Sequence, residues 1–400
     1  MARRKGLPAI RQRKDKNGKK IDLWECLINN GRDPGTGKPK RIPVYGKTQE
    51  ECRQKVIETL NSIQNQTFIE PNKTTLAQWM ETWLQEYKKI SVRPTTFSSY
   101  EWITKKHITP VLGQAYLKDL QPQTIQKFYN DKFRGGLSAR TVRYIHILLS
   151  ECLNQAVKNN LLARNVTDVA VLPKQPKKEI KVLSPIEQKR LIAVLVEERL
   201  GMAFNLSMFT GMRMGEVLGL QWNDIDFEEG ILSVCRSMSR VYHSNVKDGV
   251  KSELLSQAPK TEKGKRIIPL IENILSALKE YKKAEIERFK LLEWDDITIK
   301  QYLKTGLVFC NELGKPIEPR NFIRKFHSLL KKAGLPKTNV HSLRHLFATR
   351  GLESGIDLKT MQELLGHANI SITGDIYSHV SYEVKREAVN RLNNLFAAKN

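Results

Sequence analysis

The segment 172–185, LPKQPKKEIKVLSP, constrains the fold of this chain more than any other feature. Pro173, Pro176 and Pro185 lack the backbone donor that a helix interior or a central strand requires, and proline holds such a stretch extended. Lys174, Lys177, Lys178 and Lys181 add charge that resists burial. The chain therefore cannot form one continuous packed layer. Residues 169–183 are expected to be a basic interdomain linker with separate cores on either side. A length of 400 residues fits two to four such bodies at roughly 100–200 residues each.

Upstream of the linker the hydrophobic period changes once. Residues 1–66 open with basic, turn-rich sequence in which Asn17-Gly18 marks a hairpin. IDLWECLI (21–28) and KRIPVYG (40–46) read as strands flanking the turn cluster DPGTGKP (33–39). Thr48 begins a helical pattern with Cys52, Val56, Leu60 and Ile63 on one face, and Glu51 three residues on makes a capping box. The expectation is a small three-stranded sheet plus one helix. Residues 74–168 read as all-helical. Leu76, Trp79, Met80, Trp83, Leu84 and Tyr87 recur at helical spacing and form a core stripe. PTTFSSYEWITKKHITPVLG, QPQTIQKFYNDKF and SARTVRYIHILLSECLNQAVKNNLL supply further helices. His107 and His146 lie among apolar residues and are expected to be structural.

Charge narrows the partner. The formal net charge is +25. Residues 1–73 hold 17 basic and 8 acidic side chains, 74–172 hold 13 and 7, and 173–400 hold 37 and 27, so the surpluses are +9, +6 and +10. A surplus in every segment suits an extended polyanion, and nucleic acid is the leading candidate. Cys26, Cys52, Cys152, Cys235 and Cys310 are scattered and show no C-x-x-C spacing, which disfavours a zinc finger or a disulfide framework. Scattered thiols fit a reducing cytoplasm. The basic N-terminus MARRKGLPAIRQRKD has no apolar stretch behind it. No apolar run reaches the roughly 18 residues of a membrane span. A soluble, cytoplasmic protein is expected.

Four blocks in residues 184–400 hold candidate chemistry. In FTGMRMGEVLGLQWNDIDFEEG, Gly211 should end one helix, and Arg213 and Glu216 should open the next. An arginine at a helix start can reach a phosphate; the plainer reading is a surface pair with Glu216 at i+3. In APKTEKGKRIIPL, Lys260 and Gly264 should sit in a turn between strand-like SVCRSMSRVY and RIIPL. In VHSLRHLFATRG, His341, Arg344 and His345 share a helix face. The His341/His345 spacing also occurs in zinc helices, but no glutamate follows His341 and no third ligand follows at a matching distance. In MQELLGHANISITGDIYSHVSYE, Gly366 should end a helix and present His367, and Tyr377 comes ten residues later.

T-G-M-R-x-x-E, the turn lysine, H-S-L-R-H, L-G-H and the late tyrosine resemble, in order, the pattern of the tyrosine recombinase (phage integrase) family. The resemblance is strong over residues 180–385. It is weaker over 74–168, which look like the family's helical core-binding domain, and over 1–66, which look like the arm-binding domain of lambda-type and conjugative-transposon integrases. It implies a mainly α multidomain protein whose mostly helical catalytic domain, residues 184–400, carries a small antiparallel sheet. It implies as catalytic residues Arg213, Lys260, His341, Arg344, His367 and the nucleophile Tyr377, with Glu216 and His345 supporting them.

The residue types suit that chemistry. A tyrosine hydroxyl has a pKa of about 10 and is a weak nucleophile at neutral pH. Two guanidiniums can grip the nonbridging oxygens of a phosphodiester and stabilise the charge of the transition state. By resemblance, Lys260 protonates the leaving 5′ oxygen and His341 assists the tyrosine proton, although either histidine could serve in either direction. A phosphotyrosine ester would conserve the bond energy, so neither a nucleotide nor a metal cofactor is expected, and the chain has no P-loop or carboxylate cluster. The implied partners are double-stranded DNA with core-type and arm-type sites, a homotetramer docked through the tail helix EVKREAVNRLNNLFAA, an excisionase and a DNA-bending protein. A type IB topoisomerase, a DNA-binding regulator that has lost its chemistry and, more distantly, a metal-dependent nuclease are the rival readings.

Overall fold

The computed structural model describes residues 8–16, 18–32, 37–64, 73–176, 182–242, 252–259 and 264–367, with positions 369, 370, 374, 386 and 390. The chain divides into two compact units, Met1–Pro176 and Lys177–Asn400.

The first unit begins with an antiparallel sheet of β1 (Ile10–Lys14), β2 (Lys20–Arg32) and β3 (Pro39–Gly46) in that order. Cys26 stands opposite Ile10 on one side and Val44 on the other. The two-residue strand period puts Cys26, Ile28, Ile42 and Val44 on one face, where they pack on Cys52 and Val56 of α1 (Gln49–Gln64). At the first turn Gly18 takes φ +81°, and its N–H donates to the Asp15 carbonyl. The strand expected to stop at Ile28 continues to Arg32, which pairs with Pro39. The exposed Asn29, Gly31 and Arg32 have no apolar alternation to announce it. Thr48 caps α1 by accepting from the Glu51 N–H at 3.1 Å, and the Glu51 carboxylate reaches back to the Lys47 N–H at 2.7 Å.

A separate helical core follows. α2 (Leu76–Thr82) continues into a π-helical turn, Trp83–Lys88. α3 (Pro94–Ile103) continues through a second, Thr104–Ile108, into α4 (Thr109–Leu112). Pro110 has no N–H for an i→i−4 bond, and the turn before it is wound wider, with the Thr109 N–H donating to the Thr104 carbonyl. α5 (Pro122–Arg134) and α6 (Ala139–Lys158) complete the unit. Trp79, Met80, Trp83 and Leu84 are buried in this core, and the Trp79 indole donates to the Cys152 carbonyl at 3.0 Å. His107 lies edge-on to Trp102, and His146 hydrogen-bonds the Tyr129 hydroxyl, both structural roles.

The second unit starts at α7 (Pro185–Val196), capped by Ser184 and Glu187. It continues through α8 (Gly201–Thr210), α9 (Met214–Leu218), β4 (Ile225–Asp226), β5 (Ile231–Val234), β6 (Ser237–Tyr242), β7 (Ser252–Gln257) and β8 (Arg266–Pro269). α10 (Glu272–Leu291), α11 (Asp296–Thr305), α12 (Pro319–Lys332), α13 (His341–Glu353) and α14 (Leu358–Leu365) follow. Its core is centred on Phe204, which stacks on Phe322 at 4.3 Å and meets Phe326 at 5.2 Å. The strands form two small sheets, β4-β5-β8 and β6-β7.

That topology corrects one expectation. SVCRSMSRVY is not one strand: it breaks at Cys235–Arg236 into β5 and β6, which belong to different sheets. β7 intervenes before RIIPL, so the segment holding Lys260 and Gly264 joins β7 to β8 rather than following β6. SELLSQ lacks β-branched residues and a clean alternation, because this two-stranded ribbon is only half-buried there. No described helix is long and apolar enough to cross a membrane. The expected tail helix, 383–398, lies outside the described residues apart from positions 386 and 390.

Candidate active site

Two left-handed glycines build this site. Gly211, at φ +64° and ψ +16°, ends α8, and Gly366, at φ +65° and ψ +44°, ends α14. Both were legible as helix stops. At Gly366 the cap is a Schellman motif: the His367 N–H donates to the Gln362 carbonyl at 3.1 Å and the Gly366 N–H to the Glu363 carbonyl at 3.0 Å. That arrangement leaves the carbonyls of Leu364, Leu365 and Gly366 outside the helix's own bonding. Three arginines fill them. Arg266 Nε donates to Leu364 O at 2.7 Å, Arg344 Nη2 to Leu365 O at 2.6 Å, and Arg213 Nη2 to Gly366 O at 3.3 Å. The negative end of the α14 dipole favours cations there.

Each arginine is held from behind. Arg344, one turn into α13, is 2% exposed, and its Nη1 donates to Gly211 O at 2.7 Å. Its Nε finds no acceptor among the described residues. Arg213 is the N-cap of α9, and its N–H donates to Glu216 Oε2 at 2.8 Å. Its Nη1 also meets Glu216 Oε1 at 2.8 Å, so the i+3 pair exists, but it coexists with the longer reach to Gly366. Glu216 is buried and takes a second cation, Arg266, with Nη2 on Oε2 at 2.8 Å and Nη1 on Oε1 at 3.2 Å. Removing either partner of such a buried pair strands a charge, at a cost of about 3–5 kcal/mol.

The electrostatics follow from this crowding. Burial works to raise the Glu216 carboxyl, but the hydrogen bonds and charge of Arg266, with Arg213, outweigh it and hold it below the usual carboxylate range. Burial and the neighbouring Arg213 and Arg266 push the Arg344 guanidinium down to about 9, which leaves it charged at neutral pH. His367 is pushed down to about 3 by burial, then by Arg344 and Arg213. His341 is exposed at the start of α13, yet partial desolvation, His345, Arg344 and Arg213 push it down to about 4. Both imidazoles are therefore neutral at pH 7. His345 is half-buried and meets His341 edge-on at 4.8 Å, and its Nδ1 has no hydrogen-bond partner among the described residues. A cleft of about 570 Å³ beside the site is lined by Arg213, Met214, Gly215, Asn339 and His341, among others.

Arg213, Glu216, His341, Arg344, His345 and His367 are thus brought together from α9, α13 and the end of α14. Lys260 and Tyr377 lie outside the described residues. Arg266 was not singled out from the sequence. Its only signal is its place as the first residue of β8, a few positions after Lys260 in the sequence.

Residues 181–384 match the phage integrase family, and residues 75–133 match the phage integrase N-terminal SAM-like domain. The chain belongs to the phage integrase family. A XerC-like tyrosine recombinase of Caldanaerobacter subterraneus subsp. tengcongensis is 36% identical over 391 residues, covering 95% of this chain and 98% of its own. The ICEBs1 integrase of Bacillus subtilis is 25% identical over 377 residues, covering 93% of this chain and 97% of its own. Among solved structures, the Tn1549 transposon integrase in complex with circular intermediate DNA matches with a TM-score of 0.63 at 21% identity, over 80% of this chain and 99% of that one. A lambda integrase dimer bound to a core site matches with a TM-score of 0.55 at 21% identity, over 94% and 96%. At these identities the structural matches speak for the fold alone. This integrase is a DNA-binding, site-specific tyrosine recombinase, an enzyme of the type that mobile elements encode.

Proposed function

We propose that this integrase cuts and rejoins DNA through a 3′-phosphotyrosine on Tyr377, and so integrates and excises the mobile element or prophage that encodes it. The observation that supports this best is the convergence of Arg213 and Arg344 on adjacent carbonyls at one helix end. A pair of fixed guanidiniums so placed can share one phosphate. In the proposed step the Tyr377 Oη attacks phosphorus, the bond to the 5′ oxygen breaks, and the tyrosine proton leaves as another reaches the departing oxygen. Arg213 and Arg344 hold the nonbridging oxygens, and His367 adds a hydrogen bond to them. Lys260 donates the proton to the 5′ oxygen, and neutral His341 accepts the one from tyrosine. Attack by the 5′ hydroxyl of another strand reverses the chemistry and reseals the DNA without ATP.

Residues 1–66 would bind arm-type sites, residues 74–168 would clamp core-type sites, and residues 184–400 would carry the chemistry, joined by the basic linker 169–183. Strand exchange between two duplexes needs four such sites, so the working form is a homotetramer on DNA in a bacterial cytoplasm. An excisionase and a DNA-bending protein would set direction.

The test is a suicide substrate. Wild type and Tyr377→Phe are incubated, with chelator present, on nicked duplexes covering the ends of the encoding element. An SDS-resistant, protease-sensitive adduct with wild type only is the expected result. An adduct that persists in the variant would place the nucleophile elsewhere. Tight binding with no adduct on either end would favour a regulator that has lost its chemistry.

A further inference from the structure

Among the three arginines at the end of α14, Arg266 has a role that the proposed phosphate chemistry does not use. Its side chain is 5% exposed, so it is not a surface contact for DNA. Its donors reach three partners at once. Nη1 and Nη2 grip both oxygens of Glu216, and Nε holds the Leu364 carbonyl. A further bond from Nη1 to the Gly264 carbonyl ties it to the segment that follows Lys260. Glu216 in turn holds both the backbone and the guanidinium of Arg213. Arg266 therefore links two elements that sequence places far apart: the start of α9, which carries Arg213, and the end of α14, which presents His367.

We infer that Arg266 is a positioning residue for strand cleavage, setting the spacing between the Arg213 guanidinium and the end of α14 by holding Glu216 and the Leu364 carbonyl together. The planar fork is what makes this possible. A lysine ammonium would neutralise Glu216 equally well but cannot reach two carboxylate oxygens and a carbonyl from one rigid plane. A displacement of about 1 Å at a reacting group can cost roughly 100-fold in rate. The inference rests on the reading of Arg213 as a ligand of the scissile phosphate.

Arg266→Lys in the full-length chain separates positioning from charge neutralisation. Three quantities are measured on nicked duplexes from the ends of the encoding element: melting temperature, duplex affinity, and the single-turnover rate of covalent adduct at saturating DNA. The expected result is a folded protein whose affinity stays within about threefold while the adduct rate falls at least roughly tenfold. A wild-type adduct rate in the folded variant would overturn the inference, because charge alone would then suffice. Glu216→Gln alone is compared with Glu216→Gln combined with Arg266→Met, which leaves no buried charge stranded between the two positions. The combination should be roughly tenfold slower than Glu216→Gln, since the Leu364 contact is lost as well; equal rates would also overturn the inference. Arg213→Lys serves as the control. A wild-type adduct rate in that variant would remove the phosphate role of Arg213 itself, an outcome distinct from any result at Arg266.

Discussion

The Arg344 guanidinium donates to the Leu365 carbonyl at 2.6 Å and so ties the first turn of α13 to the last residue of α14. The bond completes a helix end that its own cap leaves open, and it holds a charged, buried side chain in one orientation. Preorganisation of this kind matters to the proposed reaction, because a donor held in place needs no rearrangement when negative charge develops beside it.

Arg344→Lys should therefore lower the single-turnover adduct rate by roughly 10²–10³ while changing duplex affinity far less. Quench-flow on a nicked core duplex measures both. A loss of less than threefold would remove Arg344 from the transition state.

Gly211→Ala should destabilise the second unit. The position sits at φ +64°, and an added Cβ would lie 2.5 Å from Phe347 Cδ1 and 2.7 Å from Leu365 Cδ2. Backbone strain alone costs about 1–3 kcal/mol. Urea unfolding followed by tryptophan fluorescence should show a lower midpoint; an unchanged midpoint would mean that α8 and α13 can separate without loss.

Acid should weaken the fold through His341 and His367, the two imidazoles crowded against Arg344 and Arg213. Burial and the neighbouring cations push His341 and His367 down to about 4 and about 3 in the folded chain, whereas an unfolded histidine has a pKa near 6.5. Between those values the unfolded chain binds more protons. The stabilising contribution is thus whole above pH about 6.5 and is lost as pH falls through that window. Melting temperature should drop between about pH 7 and pH 5, and less steeply in His341→Gln/His367→Gln. Identical slopes would show that these imidazoles are not the source.

Deleting residues 1–66 should spare cleavage at the core site. The sheet–α1 core and the helical core of residues 74–168 are separate clusters of buried side chains. The deletion removes most of a segment with a surplus of +9 over residues 1–73, so binding to arm-type DNA should weaken and its salt slope should flatten. Gel-shift titration across salt concentrations and the suicide-substrate assay read the two effects. Complete loss of core cleavage in the remainder would contradict the three-part division.

By itself, the sequence determined what depends on a few neighbouring residues. Gly211 and Gly366 stop helices because only their backbone enters the left-handed region cheaply. His341, Arg344 and His345 share a face because of the helical period, and Glu216 caps the helix that Arg213 begins. The alternation of Cys26, Ile28, Ile42 and Val44 made the first sheet readable in the same way. Only the tertiary structure decided which guanidinium meets which carbonyl. Arg266 and Leu364 are 98 residues apart, and Arg213 and Gly366 are 153 apart. Charge alone does not distinguish Arg266 from Lys265 beside it: one side chain is buried against Glu216 and the other is exposed. The strand β7 stayed hidden for a related reason, since a half-exposed ribbon is stabilised by backbone pairing with β6 rather than by a side-chain pattern. Such contacts exist only after the core around Phe204 has brought α8, α13 and α14 to one place, where desolvation turns an ordinary ion pair into one that holds its geometry.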